Sequence, residues 1–324
     1  MQSIDVHNGE LRAEAVQNGE TAVVPEKPKK HRMSASRRSE YIWGWVFISP
    51  LTVGFLLFTA FPLVLAIVYS FSEYDLFHAP VFIGFSNFAE VFRDTFFLRS
   101  LLNALIYCIG VPVGALLALV LSSMLVSISR GSLVLRMIFY LPTICGAVAI
   151  AFIWQWMYAP NYGLLYEFFQ KLGIKPIHFL ASKYIMGSMM VMGIWSGMGV
   201  SVLLFYSSLH NVSKTLYDAA SLDGANAFRK FIHITLPGVS PVMFYILITG
   251  ILGSFQAFTN FQVMTNDQIN YSSVMPVWWI YKFTGAYGYR YGYASALGMV
   301  FGLLLILISG IQFLVSKFWV KYDS

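Results

Sequence analysis

The chain has 324 residues, of which 57% are hydrophobic and 11% charged, and its mean hydropathy is +0.66. Soluble domains carry about a quarter charged residues, so much of this surface must face a bilayer rather than water. The net charge of +6 does not point to nucleic acid, because the basic residues lie in an N-terminal tail and in short loops beside apolar segments, which is a topology pattern.

Residues 1–40 read as a polar, basic tail with no apolar core of the kind a secretion signal needs. The cluster Lys27, Lys29, Lys30, Arg32, Arg37 and Arg38 predicts a disordered segment that holds the N-terminus in the cytoplasm. Six segments then meet the length of about 20 apolar residues needed to cross a bilayer: 41–71, 101–127, 133–158, 186–209, 241–263 and 292–316. They contain no Asp, Glu or Lys, and their one Arg is Arg136, at the mouth of the third. Pro50 and Pro62 predict a tilt or kink in the first. With the N-terminus inside, 14 of the 21 Lys and Arg residues fall on cytoplasmic segments and 7 on the outer loops 72–100, 159–185 and 264–291. That two-to-one bias rests on the tail.

The fold class expected is therefore an all-α polytopic membrane protein with six transmembrane helices. It divides into the tail 1–40, the first helix and outer loop 41–100, a core of five helices over 101–316, and a cytoplasmic tail 317–324. Cys108 and Cys145 fall inside apolar segments and read as packing residues. Trp154 and Trp156 read as part of an interfacial aromatic belt.

Between the fourth and fifth segments lies a polar loop, 213–237. Thr215 with Asp218 three residues later predicts a capping box at a helix start. The helix should run through Tyr217, Asp218, Ala219, Ala220 and Leu222, and Asp223-Gly224 should end it in a left-handed turn. A second piece should place Phe228, Phe231 and Ile232 on one side, with Arg229, Lys230 and His233 more exposed, until Pro237 breaks it. Two short helices lying along the membrane face can seat in the groove of a soluble partner. An amphipathic cytoplasmic helix without a partner would satisfy the spacing equally well.

The run from Tyr217 to Pro237 resembles the coupling loop of importer-type ABC permeases, in which Glu-Ala-Ala is followed by Asp-Gly-Ala and Ile-x-Leu-Pro. Asp218 stands where that family usually has Glu, while Ala219, Ala220, Asp223, Gly224, Ala225, Phe231, Ile234, Leu236 and Pro237 fit in register. Further likeness lies in Phe82-Ile-Gly-Phe-Ser-Asn-Phe88, Phe139-Tyr-Leu-Pro142, Trp154-Gln-Trp156 with Asn161-Tyr-Gly163, and Tyr291-Gly-Tyr-Ala-Ser-Ala296. Residues 39–320 resemble the larger permease subunit of maltose-type importers. The departure is Thr265-Asn-Asp-Gln268, where that family commonly has Thr-Gly-Gly-Gly-Pro, and it predicts a longer or reshaped loop.

The resemblance implies an importer-type ABC permease fold with a cytoplasmic coupling helix, carrying sugars or oligosaccharides across a bacterial inner membrane. It implies a second, different permease subunit, two ATPase subunits that hold ATP and Mg, and a periplasmic solute-binding protein. This chain would have no catalytic residue, cofactor or metal of its own. ATPase coupling would fall to Tyr217, Asp218, Ala219, Ala220, Asp223, Gly224, Ala225, Phe228, Phe231 and Pro237. The substrate pathway would comprise Gly193, Ser196, Gly197, Val200, Gln256, Ala257 and Asn260. Gln256 and Asn260, four apart, would share one face of the fifth helix. The overall likeness adds alginate oligosaccharides to the candidate substrates.

Apart from the resemblance, the apolar segments offer amides and hydroxyls rather than charge, which suits sugar hydroxyls, although the same groups also glue membrane helices together. An ion-coupled secondary transporter would usually carry ionisable groups in mid-span, and these segments lack them. An ABC permease for another solute would share the loop but not the Trp-Gln-Trp and Phe-x-Gly-x-x-Asn-Phe features. An ATPase would need a phosphate-binding loop that is absent from the sequence.

Overall fold

The computed structural model describes residues 35–128, 131–175 and 177–321. The first 34 residues, and with them most of the basic tail, lie outside the described residues. Among the described residues four helices are each long and apolar enough to cross a membrane, and there are up to six spans when each of two bent helix pairs counts as one. The chain divides into two units, Met1–Pro62 and Leu63–Ser324.

The first unit contains α1 (Ala35–Phe55) and a π-helical turn, Leu56–Ala60, that leads into α2 (Phe61–Ser70). The widened turn sits just before Pro62, and Phe61 N–H donates five residues back to Leu56 O. A proline ring collides with the carbonyl four residues earlier, and a π turn moves that carbonyl aside. The same device recurs at Phe231–Thr235, just before Pro237. Pro237 is thus absorbed into the helix that it was expected to break.

In the second unit a short antiparallel pair, β1 (Ser72–Glu73) and β2 (Val81–Phe82), precedes α3 (Ser86–Val91). Here the Phe82–Phe88 motif acquires a physical role. Gly84 takes φ +63°, and the buried Asn87 side chain donates to Ser70 O at 3.0 Å and Ser72 O at 2.9 Å, fastening the hairpin to the end of α2.

The second span begins six residues earlier than hydropathy predicts. Asp94 caps α4 (Thr95–Cys108) by accepting from Phe96 N–H and Phe97 N–H, and α5 (Gly110–Ser127) continues the crossing. The third span is not straight. α6 (Ser132–Ile144) and α7 (Ala147–Met157) meet at 98°, because Cys145 and Gly146 are both extended. α8 (Leu164–Lys171) lies in the loop that follows, and α9 (Ile185–Asn211) is the fourth span. The fifth span also ends early: α13 (Ser240–Phe255) stops at Gln256, and a separate short helix, α14 (Thr259–Met264), follows. α15 (Pro276–Lys282) and α16 (Tyr291–Trp319) complete the chain.

Two cores hold the second unit. One gathers Phe97, Trp154, Met189, Phe261, Trp278 and Leu297, and the other gathers Leu119, Val202, Phe205, Val239 and Met243. Trp154 is therefore a core residue packed edge-on to Trp195 at 5.6 Å, not a belt residue, whereas Trp156 is exposed. Cys108 is half-buried, but Cys145 is exposed at the bend. Gly199 lets α9 reach α6, since a Cβ there would fall 2.5 Å from Phe139 O.

Candidate functional site: coupling loop and central cavity

α10 (Lys214–Leu222) and α11 (Ala227–Lys230), extended by the π turn and α12 (Leu236–Gly238), form the loop after α9 as a hairpin of two short helices. The expected capping box is absent. The helix starts one residue before Thr215, Ser213 occupies the cap position without capping, and its Oγ instead lies 2.7 Å from Thr215 Oγ1.

The turn is as expected. Gly224 has φ +72°, and Ala225 N–H donates to Ala220 O at 2.8 Å, closing the end of the helix. Asn226 then caps the second piece by accepting from Arg229 N–H at 2.9 Å. Tyr217 OH lies 2.9 Å from Thr235 Oγ1, and Lys230 Nζ donates to Ser221 Oγ at 2.6 Å, so the two arms are tied together.

Asp218 and Ala219 are exposed, Ala220 and Ala225 half-buried. Phe231 is half-buried against the second core, whereas Lys230 is half-buried rather than exposed. Apolar side chains stand out at the tip: Phe228 is 70% exposed and Leu222 90%. Leu222 was absent from the expected coupling set. A leucine in a polar loop was the available signal. The break into α13 comes at Val239, two residues beyond Pro237, with a bend of 69°.

A cavity of about 490 Å³ lies between α4, α5, α9 and α13. Of the seven expected pathway residues, Gly193, Gly197, Val200, Ala257 and Asn260 line it, and Ser196 and Gln256 do not. Ser196 Oγ donates to Gly193 O at 3.2 Å, which is helix-internal bonding. Gln256 is exposed at the end of α13, and the break at Gln256–Phe258 removes the helical face it was expected to share with Asn260. Asn260 is half-buried, and its side-chain oxygen Oδ1 is buried without a hydrogen-bond partner.

The glycines differ in purpose. A Cβ at Gly193 would strike Tyr107 OH, whereas one at Gly197 would meet nothing, so Gly197 leaves open space. Tyr107, Ser201, Tyr245 and Thr249 also line the cavity, and no lining residue carries a charge. Tyr107 and Tyr245 escaped the sequence reading because aromatic residues are scattered through every span.

At the Thr265–Gln268 departure the backbone makes a left-handed turn. Asn266 (φ +52°) and Asp267 (φ +59°) adopt the conformation that glycine allows, and Asn and Asp tolerate it better than other residues. Their side chains add anchors that glycine lacks. Asn266 Oδ1 accepts from Gln155 Nε2 at 2.9 Å. Asp267 accepts from Lys282 Nζ at 2.5 Å, Trp278 Nε1 at 3.0 Å and Gln262 Nε2 at 3.2 Å. Burial acts to raise the Asp267 pKa, yet the bonds from Lys282, Trp278 and Gln262 hold it below the usual carboxylate value.

Apolar spans, an uncharged internal cavity and a tied helical hairpin joined to a cavity-lining helix define a membrane transport subunit. The chain belongs to the family of binding-protein-dependent transport system inner membrane components, whose model matches residues 110–321. The probable ABC transporter permease protein YesP of Bacillus subtilis (strain 168) is 33% identical over 299 residues, covering 90% of this chain and 96% of YesP. The arabinooligosaccharides transport system permease protein AraP of Bacillus subtilis (strain 168) is 29% identical over 309 residues, covering 93% of this chain and 97% of AraP. A crystal structure of a bacterial ABC transporter that imports the acidic polysaccharide alginate aligns with TM-score 0.74 at 23% identity, covering 88% of this chain and 98% of that one. The importer-type permease fold expected from the loop is thus present, and family membership displaces the secondary-transporter reading. Members of this family are transport permeases rather than enzymes.

Proposed function

We propose that this chain is one of two different permease subunits of an ATP-driven importer for sugars or oligosaccharides. A binding protein outside would deliver substrate, and two copies of a separate ATPase would hold all the ATP and Mg. The observation that carries the reading is a direct mechanical link. The tied hairpin 213–238 runs through one bend into α13, and Tyr245, Thr249, Gly250 and Gly253 of α13 line the cavity. A displacement of the exposed tip around Leu222 and Phe228 would therefore move a cavity wall. Alternating access follows when ATPase closure biases the two positions of that wall.

The uncharged wall supports neutral oligosaccharides over uronic acids, because an acidic chain would enter this half of the pathway without a cation to pair with. AraP carries arabinooligosaccharides by its name, which agrees with this preference. Uptake by the reconstituted complex of neutral pentose oligosaccharides against alginate oligosaccharides decides the point. Faster uptake of alginate would overturn the neutral reading.

Asn260 is the residue we assign to a sugar hydroxyl. Asn260→Ala removes a buried amide whose oxygen has no protein partner. A neutral hydrogen bond contributes about 0.5–1.5 kcal/mol, so transport should weaken several-fold with assembly and basal ATP hydrolysis near normal. Unchanged transport in a clearly less stable complex would make Asn260 a packing residue.

The orientation follows from the coupling assignment, with the N-terminus and the 213–237 loop in the cytoplasm and 159–185 outside. A cysteine at position 221 (Ser221→Cys) should escape an impermeant thiol reagent in intact cells. Labelling there, in a variant that lacks Cys108 and Cys145, would sink the topology.

A further inference from the structure

A second cavity, of about 400 Å³, lies away from the central one, among the end of α7, the start of α9 and the loop that carries α8. We propose that it holds an acyl chain of an anionic phospholipid from the surrounding bilayer, with the headgroup against the basic loop 159–185. The volume falls within the range of small-molecule pockets. Its walls are almost entirely carbon: Trp154 and Met157 from α7, Leu165 and Phe169 from α8, and Val191 from α9.

Two of the polar groups in the wall are already committed to backbone carbonyls, which leaves the buried Trp154 Nε1 as a donor without a partner. Tyr158 OH donates to Ser188 O at 2.9 Å, and Ser188 Oγ donates to Phe179 O at 2.8 Å. A sugar would find few groups to bond there, whereas a hydrocarbon chain asks for none. Gly187 opens the wall on the α9 side, since a Cβ there would meet nothing within 4 Å.

The setting selects a lipid among apolar ligands. Two walls belong to membrane-crossing elements, so the cavity sits at the end of the bilayer core. α8 turns Leu165 and Phe169 inward and leaves Leu164, Phe168 and Leu172, at spacings of four, exposed as a second apolar stripe. A short helix with such a stripe lies in the headgroup region. The loop around it carries Lys171, Lys175 and Lys183 against Glu167 alone, an excess of two positive charges. Lys183 Nζ stands 5.2 Å from the centre of the Tyr184 ring, which itself borders the cavity, so one of these charges is at the mouth. Anionic headgroups are drawn to such a basic margin.

The test uses the assembled importer in nanodiscs of phosphatidylcholine mixed with phosphatidylglycerol, released into mild detergent and read by native mass spectrometry. Wild type should retain phosphatidylglycerol in preference to phosphatidylcholine. Gly187→Leu fills the cavity, and Lys171→Gln with Lys183→Gln removes the charge at its margin. Each should reduce the retained phosphatidylglycerol several-fold with substrate-stimulated ATP hydrolysis unchanged. Equal retention of both lipids, or retention untouched by either variant, overturns the proposal. So does a photo-crosslinker at Val191 that captures the second permease subunit instead of lipid. If Gly187→Leu fails to assemble, the lysine pair still decides. Because the readout is bound lipid, it stands or falls independently of which solute the complex transports.

Discussion

Asp267→Asn should lower the stability of the purified chain by about 2–3 kcal/mol, read as a fall in thermal midpoint in detergent. The Lys282 side chain is only 8% exposed, and among the described residues Asp267 is its one charged partner. Removing one partner of a buried pair leaves the other charge uncompensated, which typically costs about 3–5 kcal/mol. The value here is lower because Asp267 is 49% exposed and asparagine keeps one accepting oxygen. The double variant Asp267→Asn with Lys282→Met removes the stranded charge and should recover most of the loss. A single variant as stable as wild type, or a double variant no better than the single, would show that the pair is not what holds the turn. The sign with pH follows from the carboxyl lying below its ordinary value. Its contribution is present above the unfolded pKa and disappears as the pH falls through the lower, folded value. Because this turn closes α14, the helix that carries Asn260, loosening it should also weaken transport.

Gly224→Leu should uncouple the complex while leaving the spans inserted. At φ +72° a side chain costs about 1–2 kcal/mol, although the space around Gly224 is open and nothing clashes. The cost is therefore one of backbone conformation, and the chain relieves it by re-aiming the hairpin that presents Leu222 and Phe228. Substrate-stimulated ATP hydrolysis should fall several-fold, with expression and thermal midpoint close to wild type. Gly224→Asn, which tolerates the left-handed region, should retain most of the activity. If Gly224→Leu couples normally, the loop assignment is wrong. If it loses only stability, the glycine serves the fold alone.

The two glycine-like turns show what could be read along the chain and what could not. Gly224 was legible because Asp-Gly between two amphipathic pieces has one common use. Asn266 and Asp267 were not, since two polar residues in place of glycines look like a new loop until their φ values are known. The central cavity divides in the same way. The family resemblance, kept in register by the loop, pointed to Gly193, Gly197 and Asn260, which line the cavity, and to Ser196, which bonds its own helix. Gln256 fell on the far side of a break that no proline marks.

By itself the sequence determined that the chain crosses a membrane, where its apolar segments fall, and that a polar loop interrupts them between the fourth and fifth. These are sums over neighbouring residues: transfer of apolar side chains, and the dihedral preferences of Asp-Gly and of proline. The tertiary structure alone decided the 98° bend at Cys145–Gly146 and the end of α13 at Gln256. It also decided the burial of Trp154, the pairing of Asp267 with Lys282, and which amide faces the cavity. Those outcomes depend on which helix lies alongside. In a bilayer apolar residues cost little on either side of a helix, so hydropathy finds a span without saying how it is turned or where it bends.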